Sequence, residues 1–296
     1  MTPDHTVIPQ TRDGRRVLPD LPVRDQELAG TVLARRRRRD IVIPWRRLLA
    51  PLIVLVAVAL WQGSAWALGS QVWLLPSPGD VTTAFAQADT QQLILQNLWP
   101  TVEEALIGFA GCIVVGVTVA AAMAASRAVR DGLYPLLIVS QAIPTTAIAA
   151  VLIVAFNYGL APKVVVVALY SFFAVTVNVY DALHGLDPEL PGLLRTLGAS
   201  RWDVLRTARL PAALPGFFTG AKLAITYSVA GAFYSELIGS ESGLGFALVQ
   251  AKNQYQQDQV FAIVVVLGAL GLTGFALVAL LERLCLPWTR QVMGDR

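Results

Sequence analysis

The chain has 296 residues, 55% of them hydrophobic and only 15% charged, with a mean hydropathy of +0.58 and a formal net charge of +3. A soluble globular domain carries about 25% charged residues, so this composition belongs in a lipid bilayer. The His and Cys residues are His5, His184, Cys112 and Cys285; their spacing fits no metal or redox motif, and neither a metal nor a cofactor is expected.

Residues 1–47 are polar, punctuated by proline and rich in arginine. They read as a disordered tail rather than a domain. The arginines at 35–39 abut the first apolar run, where they set topology and offer charge to anionic membrane lipid. A transmembrane domain is expected over 48–285, followed by a short tail at 286–296.

Six apolar stretches are long enough to cross a bilayer: 48–68, 105–125, 133–156, 164–183, 216–238 and 261–281. Lipid offers no partner for backbone N–H and C=O groups, so each stretch is predicted to be a helix. The fold class is therefore all-α integral membrane with six transmembrane helices. Of the 23 Lys and Arg residues, only Lys163 and Lys252 fall in connections on the far side. This asymmetry places both termini in the cytosol of a multi-pass cell-membrane protein. Small residues at Gly116, Ala120 and Ala124, and at Gly268, Gly271 and Gly274, permit close helix contact in lipid.

Between the fourth and fifth crossings lies a polar, arginine-bearing loop, 187–211. Asp187-Pro188-Glu189 reads as a helix start, with Leu190, Leu193, Leu194 and Leu197 forming a stripe at helical spacing. Gly198-Ala199 breaks that helix, and Ser200 with Asp203 forms a capping box for a second one. This second helix carries Arg201, Trp202 and Arg206 and is expected to end at Leu210-Pro211. Such a pair suits either an interfacial position on lipid or a docking surface for a cytosolic partner.

The spacing from Gly198 to Leu210, Pro211 and Pro215 resembles the cytoplasmic loop of ATP-binding cassette importer permeases. Further segments share that resemblance: Leu75-Pro76-Ser77-Pro78-Gly79-Asp80-Val81, Gln141-Ala142-Ile143-Pro144-Thr145, and Ser235-Glu236-Leu237-Ile238-Gly239 leading to Gly243-Leu244-Gly245. The branch it resembles carries nitrate, taurine, alkanesulfonates, thiamine-pyrimidine precursors and riboflavin. The resemblance implies a type I importer permease fold with a cytosolic coupling helix. It implies three protein partners: a separate cytosolic ATPase, an extracytoplasmic solute-binding protein and a second permease copy, a homodimer. Coupling to the ATPase would then fall to Glu189, Leu193, Leu194, Arg195, Gly198, Ala199, Arg201, Leu210 and Pro211. The family's Glu-Ala-Ala is Gly192-Leu193-Leu194 here, which leaves Glu189 as the nearest acid.

No phosphate-loop motif occurs, so ATP hydrolysis is assigned to a separate subunit and no enzymatic activity is expected. Polar groups within crossings are costly and tend to face a cavity or a partner. Gln141, Asn178, Asp181, Tyr227, Ser228 and Glu236, with Tyr180 and Ser235 beside them, are the candidates for a solute path. The solute expected is a small organic anion or vitamin precursor; nothing points to nucleic acid. An ion-coupled secondary transporter is the alternative. It would show internal repeats, broken helices and buried mid-membrane acids.

Overall fold

The computed structural model describes residues 45–67, 75–157, 159–187 and 189–287. Residues 1–44 of the expected tail at 1–47, with its arginine run, and the C-terminal residues 288–296 lie outside the described residues. The chain forms two compact units, Met1–Leu60 and Trp61–Arg296. The described part of the first is helical, from Trp45 within α1 (Trp45–Ala67). The architecture below is that of the second.

The Leu-Pro-Ser-Pro segment is a helix start. Ser77 caps α2 (Pro78–Ala86): its Oγ accepts from the Asp80 N–H at 3.2 Å, and Asp80 Oδ2 accepts from the Ser77 N–H at 2.8 Å. Pro78 occupies the first turn, where its missing N–H is no loss. The Pro76 carbonyl accepts the Trp61 indole N–H at 3.0 Å, and Trp61 stacks on Phe261. A motif of turn residues thus anchors the start of α2 to the last long helix.

Next come α3 (Ala88–Ala125), α4 (Arg127–Ala142), α5 (Thr145–Phe156) and α6 (Leu160–His184). Then follow α7 (Glu189–Thr196), α8 (Arg201–Val204), α9 (Leu210–Gly239), α10 (Leu244–Asn253) and α11 (Gln257–Cys285). The described residues contain no strand. Three helices, α3, α6 and α11, are each long and apolar enough to cross a membrane. The bent pair α4 and α5 adds a fourth such segment. The 30-residue α9 is more polar, carrying Lys222, Tyr227, Ser228, Ser235 and Glu236.

Two expectations are corrected here. Residues 133–156 do not form one helix: α4 and α5 meet at 91°. Pro144 has no N–H to extend the ladder, and its ring forces Ile143 out of the helical region, to φ −84° and ψ 123°. Nor does the second loop helix stop at Leu210-Pro211. It passes through a π-helical turn, Leu205–Arg209, directly into α9. The Leu210 N–H reaches back to the Leu205 carbonyl. This wider turn accommodates Pro211, whose ring would clash with a carbonyl in regular α geometry.

The centre of the unit is α6, packed between α3 and α9, with α11 against the other side of α9. Small residues set these approaches. A Cβ on Gly108 would lie 2.3 Å from Val167 Cγ1, and one on Gly216 would lie 2.7 Å from the Asn178 carbonyl oxygen. In lipid, where apolar burial gives helices little reason to associate, such close contact supplies the packing energy. Of the two predicted small-residue stripes, Gly116 and Ala120 are buried at the α3–α6 contact. In α11, Gly274 packs on Ile225, whereas Gly268 meets nothing within 4 Å. Lys222 of α9 pairs with Glu282 of α11 at 2.8 Å.

Candidate functional site

The loop at one end of the bundle forms as its residues dictate. Asp187 Oδ1 accepts the Glu189 N–H at 3.0 Å and starts α7. Gly198 ends it at φ +87°, a left-handed conformation that costs a residue with a Cβ about 1–2 kcal/mol. The Ala199 N–H reaches the Leu194 carbonyl and the Gly198 N–H reaches that of Arg195, both at 3.0 Å, so the turn satisfies the orphan carbonyls as a Schellman motif does. Ser200 and Asp203 then form the expected capping box: Asp203 Oδ2 accepts from the Ser200 N–H at 2.9 Å and from its hydroxyl at 2.6 Å. These bonds hold the exposed Asp203 carboxyl below its ordinary range.

This geometry leaves three large apolar side chains of the loop uncovered. Leu193 is 57% exposed, Leu197 75% and Trp202 65%. Glu189, Arg195, Gly198 and Leu210 are also exposed, and Leu194, Ala199 and Pro211 are half-buried. Arg201 opens α8.

The structure gathers only some of the predicted path residues. Asn178 lies on α6 where Gly216 and Gly220 of α9 approach it most closely, its amide donating to the Ala174 carbonyl. One turn and more along the same contact, buried Ser228 meets Ser171 at 3.0 Å. Tyr227 remains 42% exposed and packs in a ring cluster with Tyr170 and Tyr234. Tyr170 and Tyr234 were not among the predicted residues. Gln141 sits apart, exposed at the α4–α5 break. Asp181 faces Arg130 and Tyr134 across a small cavity, and Tyr180 is buried with its ring stacked on His184.

Glu236 is 2% exposed and occupied within the chain. Its Oε1 accepts from Thr101 Oγ1 at 2.7 Å, and its Oε2 accepts the Gly245 N–H at 2.6 Å. Thr101 Oγ1 also accepts the Leu244 N–H at 2.8 Å, and Asn97 Oδ1 accepts the Gly243 N–H at 2.9 Å. Helix α10 has no side-chain cap of its own. Asn97, Thr101 and Glu236, from two other helices, satisfy the N–H groups of its cap residue Gly243 and its first two residues instead, and a carboxylate there also suits the helix dipole.

Beside this cap, Lys163 of α6 pairs with Glu104 of α3 at 2.7 Å and donates to Ser240 Oγ at 2.6 Å. Ser235 Oγ donates to the other Glu104 oxygen at 3.4 Å. Lys163 and Glu104 line a cavity of about 450 Å³ together with Glu103 and Glu241. Asn97, Thr101 and Glu104 recur at helical spacing just ahead of the apolar run at 105–125. That polar stripe was the available signal. It falls outside the predicted crossing, and α3 in fact begins at Ala88.

Comparison with known proteins gives a consistent result. The family model described as binding-protein-dependent transport system inner membrane component matches residues 112–286. The formylaminopyrimidine transport permease protein ThiX of Halalkalibacterium halodurans is 34% identical over 240 residues, 81% of this chain and 95% of that protein. The riboflavin transport system permease protein RibX of Chloroflexus aurantiacus is 31% identical over 263 residues, 89% and 98% of the two chains. A putative aliphatic sulfonates permease, SsuC of Bacillus subtilis, is 27% identical over 82% of this chain and 88% of its own. Among solved structures, an inward-facing MetNI methionine ABC transporter matches with a TM-score of 0.54 at 19% identity, over 65% of this chain and 98% of that one. An amino acid ABC transporter matches with a TM-score of 0.55 at 16% identity, over 66% and 94%.

Proposed function

Since this chain belongs to the family of binding-protein-dependent transport inner membrane components, the permeases of ATP-binding cassette importers, we propose that its 187–211 loop is the coupling element through which a separate ATPase drives it. The observation that carries this reading is the uncovered trio of Leu193, Leu197 and Trp202, held rigidly by the Gly198 turn and the Ser200–Asp203 cap. Glu189, Leu194, Arg195, Ala199 and, at the start of α8, Arg201 complete the proposed coupling set. Leu210 and Pro211 join it through the π turn to α9, so a push on the loop is delivered to a helix that contacts α6, α3 and α11. In this reading the chain crosses the membrane six times with both termini in the cytosol. Two copies enclose the path, and a solute-binding protein delivers solute at the end bearing α10.

The solute class proposed is a small vitamin precursor or organic anion, with a flat nitrogen heterocycle favoured. Two of the relatives above 30% identity are named for formylaminopyrimidine and riboflavin. The Tyr170, Tyr227 and Tyr234 rings offer stacking faces on the α6–α9 surface. Asn178 and Ser228 line the same helix contact, while Gln141 marks the hinge between α4 and α5. Glu236 serves the path indirectly, by fixing the α10 cap.

The Gly198→Leu variant tests the coupling role. Its Cβ would clash with nothing within the chain, so the change acts through strain at φ +87° and through a side chain added to the exposed turn. In vesicles holding the full transporter, uptake should be lost while membrane insertion is retained. Normal uptake by this variant would overturn the proposal.

A further inference from the structure

A second cavity, of about 460 Å³, opens at the end of the bundle that bears α7. Arg127 and Arg130 enter it from the first turn of α4, Arg195 from α7 and Arg209 from the π turn, with His184 from the last turn of α6. No Asp or Glu lines it. Arg130 is paired with Asp131 at 2.7 Å. Among the described residues, Arg127, Arg195 and Arg209 have no carboxylate within ion-pair distance. Four guanidinium groups from three elements thus converge on one space with one counter-charge between them. Like charges gathered this way repel, and the arrangement is favourable only when an anion completes it.

The rest of the wall indicates which anion. Met123 and Leu183 contribute apolar surface. They lie one turn or less from the ends of α3 and α6, two helices long enough to cross the membrane. The cavity therefore sits at the level where hydrocarbon gives way to headgroups, with apolar and cationic side chains sharing its wall. Guanidinium forks match the oxygens of a phosphate in paired hydrogen bonds. We propose that this cavity is a binding site for the phosphodiester headgroup of an anionic phospholipid. Arg127, Arg195 and Arg209 hold the phosphate, and the lipid thereby ties α4, α6, α7 and the π turn together beneath the loop. Arg195 then turns its charge toward lipid rather than toward a protein partner.

The test uses the purified full-length chain in neutral detergent, titrated with short-chain phosphatidylglycerol, with phosphatidylcholine of the same chain length, and with pyrophosphate. Phosphatidylglycerol should bind and phosphatidylcholine should not. Binding should weaken roughly fivefold for each arginine changed to glutamine, and about a hundredfold for R127Q/R195Q/R209Q together. The Arg206→Gln variant, exposed on the same π turn but outside the cavity, should bind as the parent does. The triple lysine variant, which keeps the charge, should retain most of the affinity, and the single variants decide the matter if the triple glutamine variant does not fold. Pyrophosphate displacing bound phosphatidylglycerol would support the phosphate site, whereas pyrophosphate binding without any phosphatidylglycerol binding would overturn the lipid source. Equal binding of the two lipids, or an unaffected triple variant, would overturn the proposal. So would a triple variant that keeps lipid selectivity but no longer retains the ATPase on co-purification, which would give the cavity to an acidic protein surface.

Discussion

Glu236 shows how a side chain singled out by its cost can also carry a structural task. A carboxylate inside an apolar helix is costly, and that cost marks it as significant. Its two oxygens are already committed to Thr101 and to the Gly245 N–H. The Glu236→Ala variant leaves the buried Gly245 N–H without a partner and Thr101 with only its long contact to Asn97, and should lower stability by about 2 kcal/mol, read as a drop in the midpoint of thermal unfolding in detergent. The Glu236→Gln variant should recover most of that loss. Its carbonyl can accept from Gly245, its amide can donate to Thr101, and Thr101 can turn its hydroxyl fully to the Asn97 carbonyl it already approaches at 3.3 Å. Asp187, Ser200 and Asp203 were legible because caps are local, whereas the Thr101 partner of Glu236 lies 135 residues away. No local pattern announces such a contact.

At the scale of elements, packing in this protein is decided by backbone approach. The Gly216 Cα faces the Asn178 carbonyl, which belongs to a helix and cannot swing aside. Even Gly216→Ala should therefore cost about 1–3 kcal/mol, seen as reduced thermal stability and a broader size-exclusion profile. Gly268 of α11, with nothing within 4 Å, should accept alanine without loss in the isolated chain. The two stripes looked alike in sequence, and only the placement of neighbours separates them. Helix breaks were similarly half legible. Pro144 and Pro211 are both visible in the sequence. One sits after an extended residue and bends the chain by 91°, while the other is absorbed by a π turn and leaves a continuous path from loop to α9.

Across the whole molecule, the two ends of the bundle differ in how they treat charge. At the α10 end, charges are buried and matched: Lys163 with Glu104, their side chains 9% and 3% exposed, and Glu236 within its cap. Removing one partner of the Lys163–Glu104 pair should cost about 3–5 kcal/mol. The double variant Lys163→Met with Glu104→Leu should fall close to the parent, and a double-mutant cycle of thermal stability would check this. At the α7 end, charges are gathered and left open, in the manner of a surface that receives partners. By itself the sequence determined the membrane class, the helical content, the family resemblance and the local architecture of the 187–211 loop. Each of these follows from composition, periodicity or contacts between near neighbours. Only the tertiary structure decided the α4–α5 bend, the borrowed cap of α10, the buried pair between α3 and α6 and the convergence of four arginines. Those features depend on which distant segments meet, and side-chain chemistry alone does not encode that in any short stretch of chain.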